Sequence, residues 1–356
     1  MTVATTPATA QMRIGIGQFS DMTDDMLRFA AQLGVRSIQM NSPHLPGEER
    51  WEYADLKALV DQVEAFGMTL EAIENVPLNF IYKAFAGLDG ADEQIDHYKA
   101  TIRAMGAAGI PILGYNFMPN SVWTTSREET GRGGSVVRVY DQQVVDTSPD
   151  GGKHFMPGRP DWAGGLIHRT DPETYITAEQ MWANYEHFMR EVLPVAKEAG
   201  VKLALHPDDP PVPMLGGVAR IFIEPAGFKR AEQIAIDLGC EDAWGLDLCL
   251  GCCSEMPGGA ANVREMIEHF GPTGRILYVH FRDVQGSVPY FKECFIGEGN
   301  YDPAEIMLLL KRNGFTGFLM DDHVPQMDGD SGWNHRGRAH AVGYMQGLLR
   351  AIELLG

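Results

Sequence analysis

Positive charge is scarce in this chain. Lys plus Arg number 29 against 48 Asp plus Glu in 356 residues, a formal charge of −19. Nucleic-acid affinity rests on many cationic contacts to phosphate, so no nucleic-acid partner is expected. The same deficit disfavours an anionic membrane surface. No run approaches the roughly 18 apolar residues that a membrane span needs. The opening MTVATTPATAQ lacks both the basic start and the apolar stretch of a secretory leader, and residues 1–11 read as a disordered tail. The five cysteines are an odd number, and Cys249, Cys252 and Cys253 crowd together. With no second C-x-x-C, this is neither a disulfide scaffold nor a zinc ribbon, and a reducing, cytoplasmic setting is expected. No G-x-G-x-x-G follows the first strand, since Gly15 and Gly17 lie inside it. That excludes the phosphate loop of a doubly wound dinucleotide fold.

What the chain does have is alternation. Apolar residues make up 44% and charged residues 22%, an ordinary globular balance. Short β-branched runs predict strands at Met12–Gly17, Arg36–Met40, Thr69–Glu74, Ile110–Asn116, Lys202–Pro207, Trp244–Cys249, Ile276–Asp283 and Gly317–His323. Helical periodicity falls between them, at Thr23–Leu33, Tyr53–Phe66, Asp92–Ala108, Ala178–Ala199, Phe228–Leu238, Val263–Phe270, Pro303–Asn313 and Arg338–Leu354. Gly34, Gly67, Gly109, Gly200, Gly239 and Gly314 each follow a helical run and precede a strand, as a helix-ending residue in the left-handed region does. This repeat predicts an α/β fold, a (β/α)8 TIM barrel forming one domain over 12–356.

The repeat breaks once. Residues 117–177, after strand 4, are rich in Gly, Pro, Ser and Asp and hold a strand-like piece at Ser135–Val145. A long insertion there projects over the C-terminal mouth of a barrel, so a lid with a small hairpin is expected.

Chemistry gathers at the ends of the last four strands. Strand five leads into His206, strand six into Cys249, strand seven carries His280, and strand eight leads into Asp322 and His323. Parallel strand ends converge on one mouth. Two imidazoles, a thiol and a carboxylate there form a donor set for a divalent transition metal. Each alone has a plainer reading, as a hydrogen-bonded His or a small buried Cys; four on consecutive strands point to an ion.

These residues also sit in recognisable motifs. HPDDPP at His206–Pro211 with Arg220–Ile221 resembles the signature of the mannonate dehydratases. ENVP at Glu74–Pro77 resembles that family's E-S-x-P, and YNFMP at Tyr115–Pro119 with Trp123–Thr124 its YNFMP…DWT. Phe188–Ala199 resembles the helix before HPDDPP. Gly245–Cys249 resembles GLTFC, Val279–Arg282 resembles HLRN, and Asp322–His323 stands where the family has P-D-H-G. The resemblance runs from Met12 to Leu349. It implies a xylose-isomerase-like barrel that removes water from D-mannonate to give 2-keto-3-deoxy-D-gluconate with Mn²⁺ or Fe²⁺. It carries the ligand roles onto His206, Cys249, His280 and Asp322, and an acid/base role onto His323. A thiolate with two imidazoles also suits Zn²⁺.

The chain departs from the family at the last helix. There the run is Gly337–Gly343, which puts Ala339 at the family tyrosine and leaves His340 or Tyr344 as the candidate second acid. RIGIGQF at Arg13–Phe19 replaces a tryptophan-rich opening, and Thr125–Ser126–Arg127 replaces Arg–Thr–Asp. For the substrate, Arg220 or Arg282 is expected to fork the carboxylate. Asn116 and Glu293 are expected to meet its hydroxyls. Asp208 and Asp209 either orient His206 or cap the turn that follows. Two other readings stay open: a sugar isomerase or epimerase on the same metal barrel, and a metal- and sugar-binding protein without turnover. The expected partner is a small sugar acid, with a homodimer as the expected assembly.

Overall fold

Short β-branched runs that follow helix-terminating glycines favour strands buried on both faces. The strands of the computed structural model are Arg13–Ile16, Ser37–Asn41, Thr69–Glu74, Ile112–Tyr115, Lys202–Leu205, Trp244–Cys249, Ile276–His280 and Phe318–Met320. They close into a parallel barrel in which chain neighbours are hydrogen-bonded neighbours and the first strand pairs with the eighth. Helices Asp24–Gln32, Tyr53–Ala65, Ala91–Ala108, Ala178–Ala199, Pro225–Asp237, Ala260–Phe270, Pro303–Arg312 and His335–Leu355 alternate with the strands. The six punctuating glycines all take positive φ, between 64° and 86°. The structure describes residues 11–148, 151 and 167–355. The expected tail, apart from Gln11, and residues 149–150 and 152–166 of the expected lid lie outside them. Among the described residues no helix is long and apolar enough to cross a membrane.

The insertion carries a hairpin, and a second one that the sequence did not announce joins it. Strand Val136–Asp141 pairs with Ser126–Thr130 on one side and with Tyr290–Cys294 on the other, and the latter pairs with Asp283–Ser287. Tyr140 faces Phe291 in this register, and their rings stack 5.6 Å apart. Trp123, Val212, Leu215 and Val284 complete a small core with them.

Three expected boundaries are corrected. Strand seven ends at His280 rather than running to Asp283. The Asp283 carboxylate accepts backbone N–H groups from Val284, Gly297, Gly299 and Asn300, and so binds the chain into the new hairpin. The piece read as a strand over Ser135–Val145 stops at Asp141, whose side chain accepts from Gln143 N at 2.8 Å and caps the helix Gln142–Thr147. Strand eight ends at Met320. Beyond it, Asp321 accepts from Arg338 Nη1 at 2.8 Å, which turns Asp322 and His323 into the mouth. A short buried helix, Leu250–Glu255, follows strand six and holds Cys252 and Cys253.

The barrel is filled below the mouth by Ala72, Ala204, Tyr278, Phe318 and Met320. Tyr278 reaches across because strand four supplies Gly114: a Cβ there would lie 2.3 Å from the Tyr278 hydroxyl and 3.0 Å from Glu74 Cγ. Overpacking of this kind costs about 1–3 kcal/mol. Gly114→Ala is therefore expected to lower the unfolding free energy by about that amount, read as a shift of the denaturant midpoint at constant slope.

Candidate metal centre and active site

The strand ends bring the four expected donors together. One ligand atom from each of His206, Cys249, His280 and Asp322 lies within 4.8 Å of all the others, and all four residues are buried. Register explains the pairing: Cys249 on strand six stands directly beside His280 on strand seven. His206 Nδ1 donates to the Pro207 carbonyl at 2.7 Å, which leaves Nε2 free to ligate. Neither ring nitrogen of His280 has a hydrogen-bond partner. Burial opposes a thiolate at Cys249, but the hydrogen bond from Cys252 and the charge of Arg282 outweigh it and hold the thiol well below its ordinary range. Burial also opposes charge on His206, yet the Cys249 and Asp247 groups raise it to about 10. A ready thiolate, an imidazole with one nitrogen fixed and another with both nitrogens unspent suit a divalent transition ion.

A second carboxylate layer underlies the quartet. Glu74 and Asp247 come within 4.8 Å of His206 and His280. Asp247 is fully buried, its two oxygens have no hydrogen-bond partner, and burial drives its carboxyl well above the ordinary range. Glu74 was visible in the sequence as part of ENVP. Asp247 was not, because a carboxylate inside WGLDLC reads as an ordinary strand residue until the barrel phase is known.

Above the quartet opens a cavity of about 520 Å³. His206 and Asp322 form part of its floor, and His323, Glu293 and Asn116 line it. His323 Nδ1 lies 2.6 Å from Glu293 Oε1, and Arg138 Nη1 lies 2.7 Å from His323 Nε2. A carboxylate only accepts, so this network assigns the proton to Nδ1 and leaves the Nε2 lone pair toward Arg138. Burial opposes ionisation of Glu293, but His323 and Arg138 hold its carboxyl well below the ordinary range. Asn116 bonds to Asn75 Oδ1 at 2.9 Å through Nδ2 and accepts from Met118 N at 3.1 Å.

Four expected residues are not brought to this cavity. Arg220 is committed to the fold: its guanidinium donates to Asp209 O at 3.1 Å, Ser121 O at 2.7 Å and Asn120 Oδ1 at 3.3 Å. Arg282 lies between buried carboxylates, bonded at 2.8 Å to Glu293 and at 2.8 Å to Glu255. Neither has a free fork for a substrate. His340 faces Phe295, with ring centroids 5.2 Å apart, and Tyr344 stands beside it on the same helix, outside the cavity lining. That helix approaches the mouth through Arg338 instead. Asp208 caps the turn, accepting from Ile221 N at 3.0 Å and Phe222 N at 2.7 Å. Pro207, not an aspartate, orients His206.

Arg127 and Arg138, both on the insertion hairpin, line the cavity in their place, together with Arg338. Arg127 Nε is buried with no hydrogen-bond partner, and no ion pair to Arg127 exists among the described residues. Burial, with the like charge of Arg138, pulls Arg127 down to about 9.

A family model described as D-mannonate dehydratase (UxuA) matches residues 13–355. The chain belongs to that family. It is 30% identical over 316 residues to mannonate dehydratase 2 of Halalkalibacterium halodurans, covering 85% of this chain and 88% of the relative. It is 30% identical over 340 residues to the mannonate dehydratase of Thermotoga maritima, covering 90% and 91%. Its fold superposes on the crystal structure of mannonate dehydratase from Streptococcus suis serotype 2 with a TM-score of 0.81 at 26% identity, covering 96% of this chain and 95% of the other.

An ion that binds only the folded chain stabilises it by about 2.7 kcal/mol at a hundredfold excess over its Kd. The quartet predicts that Mn²⁺ raises the thermal midpoint and that EDTA reverses the rise. Cys249→Ser and His280→Ala are expected to abolish the rise, as read by thermal unfolding with metal analysis of the dialysed protein.

Proposed function

We propose that this chain is a carbon–oxygen lyase of the mannonate dehydratase kind, removing water from D-mannonate to give 2-keto-3-deoxy-D-gluconate. The observation that carries the reading is the buried quartet with His323 set beside it at the floor of a cavity, in a chain that matches the family over 13–355. His206, Cys249, His280 and Asp322 would hold Mn²⁺ or Fe²⁺; the thiolate and two imidazoles suit Zn²⁺ as well. A bound divalent ion acts as a Lewis acid that stabilises negative charge developing next to the substrate carboxylate.

The chain's own residues supply the rest. Dehydration removes the C2 proton to the base and breaks the C3–O bond. The oxygen leaves as hydroxide, takes up the proton the base then releases to become water, and the enol left behind tautomerises to the 2-keto acid. His323, its Nδ1–H bonded to Glu293, uses Nε2 as the base, the lone pair that Arg138 meets at 2.7 Å being freed when that guanidinium turns to the substrate. Glu293 orients the ring and stabilises the imidazolium once the proton arrives, as a buried carboxylate does for a catalytic histidine. Arg127 takes the carboxylate end, the role first expected of Arg220 or Arg282; a buried guanidinium with no ion pair among the described residues gains from an anionic ligand. Asn116 and Glu293 meet hydroxyls. The setting is a reducing cytoplasm, where the five buried cysteines stay free, and a homodimer is the assembly to look for.

Mn²⁺-loaded protein given D-mannonate is expected to form 2-keto-3-deoxy acid. His323→Asn is expected to lower turnover at least about 100-fold, as loss of a general base does. Exchange of solvent deuterium into recovered substrate without keto-acid product would make the chain an isomerase or epimerase instead. Arg127→Met is expected to raise KM for mannonate at least about tenfold with a smaller change in kcat, as loss of a uniform binding contact does. An unchanged KM would remove Arg127 from the carboxylate site.

A further inference from the structure

We propose that Asp247 is the positioning residue of the metal centre: it accepts the inward N–H of His280 and fixes that ring with its other nitrogen toward the ion. The proposal rests on the reading of the quartet as the ion's donors.

The two nitrogens of His280 face opposite groups. Nδ1 lies 3.8 Å from Asp322 Oδ2, on the side of the quartet. Nε2 lies 3.3 Å from Glu74 Oε2 and 3.5 Å from Asp247 Oδ2, on the side of the barrel interior. Glu74 is nearer, but its Oε2 is already used. It accepts from Gln18 Nε2 at 2.8 Å and from Gln39 Nε2 at 2.7 Å, while Oε1 accepts from Asn75 Nδ2 at 3.2 Å. Asp247 is wholly buried, and among the described residues neither of its oxygens meets a donor in hydrogen-bonding geometry, the neighbouring Tyr278 hydroxyl included. A buried carboxylate without a donor is costly, and it is relieved when a neighbouring N–H is aimed at it. Fixing His280 through Nδ1 does this.

Strand geometry makes the arrangement a consequence of sequence. Asp247 and Cys249 are two residues apart on one strand, so the pleat sends both side chains to the same face. The register with strand seven sets Cys249 beside His280 and Asp247 beside Tyr278. The ligand and the carboxylate below it are therefore supplied by consecutive inward positions of a single strand. Histidine ligands commonly donate their second N–H to a carboxylate, and loss of that acceptor weakens metal affinity about 10–100-fold.

The test uses the full chain and Mn²⁺ alone. Competition with a fluorescent chelator measures affinity, thermal unfolding is followed with and without the ion, and Co²⁺ loading adds a visible spectrum of the ligand field. Asp247→Asn is expected to weaken Mn²⁺ about 10–100-fold and to shift the Co²⁺ bands. Its ion-free midpoint is expected to stay level, because the amide fills the same space with no charge to bury. Asp247→Leu, which removes the acceptor altogether, is expected to weaken Mn²⁺ at least as much as Asp247→Asn, whose amide keeps a weaker, uncharged acceptor. Glu74→Gln is expected to weaken Mn²⁺ less than Asp247→Asn. Affinity within threefold of wild type in Asp247→Asn would overturn the proposal. So would a fall in the ion-free midpoint as large as in the loaded one, since that marks a purely structural residue. Wild-type protein that binds no Mn²⁺ would overturn the quartet reading and this proposal with it. Weak binding by Asp247→Asn beside tight binding by wild type would support it even if mannonate is not the substrate.

Discussion

Carboxylates, a thiol and two imidazoles have been taken out of water at one end of this barrel. Glu74, Asp247, Asp322, Cys249, His206 and His280 are all buried there. Removing charges from water costs several kcal/mol each, about enough to consume a domain's net stability if nothing compensates. Two positive poles answer that cost. One is the place between the quartet's donor atoms, which suits a divalent cation. The other is Arg282, whose guanidinium touches Glu255 and Glu293 at 2.8 Å and lies 3.5 Å from Asp322. Asp322 stands between the two poles, since its Oδ2 is also 3.8 Å from His280 Nδ1. This explains why Arg282 has no part left for a substrate: it is the fixed counter-ion that keeps the carboxylates together when the ion is absent.

The layers divide the work. The barrel is rigid and parallel, and its strand ends supply the donors. The antiparallel sheet above it supplies Arg127, Arg138 and Glu293, from hairpins that begin after strands four and seven. Recognition on variable connections over a fixed scaffold is the general arrangement of barrel sites. Here it separates two chemistries, with soft and imidazole ligands below and guanidinium and carboxylate groups above. His323 lies at the junction, one residue past a barrel donor and bonded to the sheet through Glu293.

The eight strands and eight helices were legible because each local signal agreed with the next: apolar periodicity, a glycine with positive φ, then a strand. The quartet was legible for the same reason, since barrel phase turns four distant residues into one cluster. What stayed hidden lacked a local signal. Asp283 looked like the end of strand seven, and only the backbone N–H groups of Val284 and of the loop 297–300 converging on its carboxylate reveal it as the start of a hairpin. Arg220 and Arg282 looked like substrate forks because sequence shows the charge of an arginine but not its partners. Arg127 was noted only as a departure from a motif; that its buried Nε finds no hydrogen-bond partner among the described residues is a property of the fold.

The last helix shows how a departure from the family pattern can leave the floor of the site in place. Ala339 stands where the resemblance led to the expectation of a tyrosine, and the nearby His340 packs between Phe295 and Tyr344, outside the cavity lining. The helix still acts on the mouth, through Arg338. Its Nη1 donates to Asp321 Oδ2 at 2.8 Å and to the Asp322 carbonyl at 3.2 Å, its Nε donates to the Trp333 carbonyl at 2.9 Å, and its guanidinium lies over the Trp333 ring. The contact to the Asp322 carbonyl fixes the backbone between the carboxylate proposed as a metal donor and the histidine proposed as the base. Side chains on either side of that peptide can then hold their places only if Arg338 does, so the helix governs the site by holding Asp322 and His323 in register with the quartet rather than by adding an acid to it.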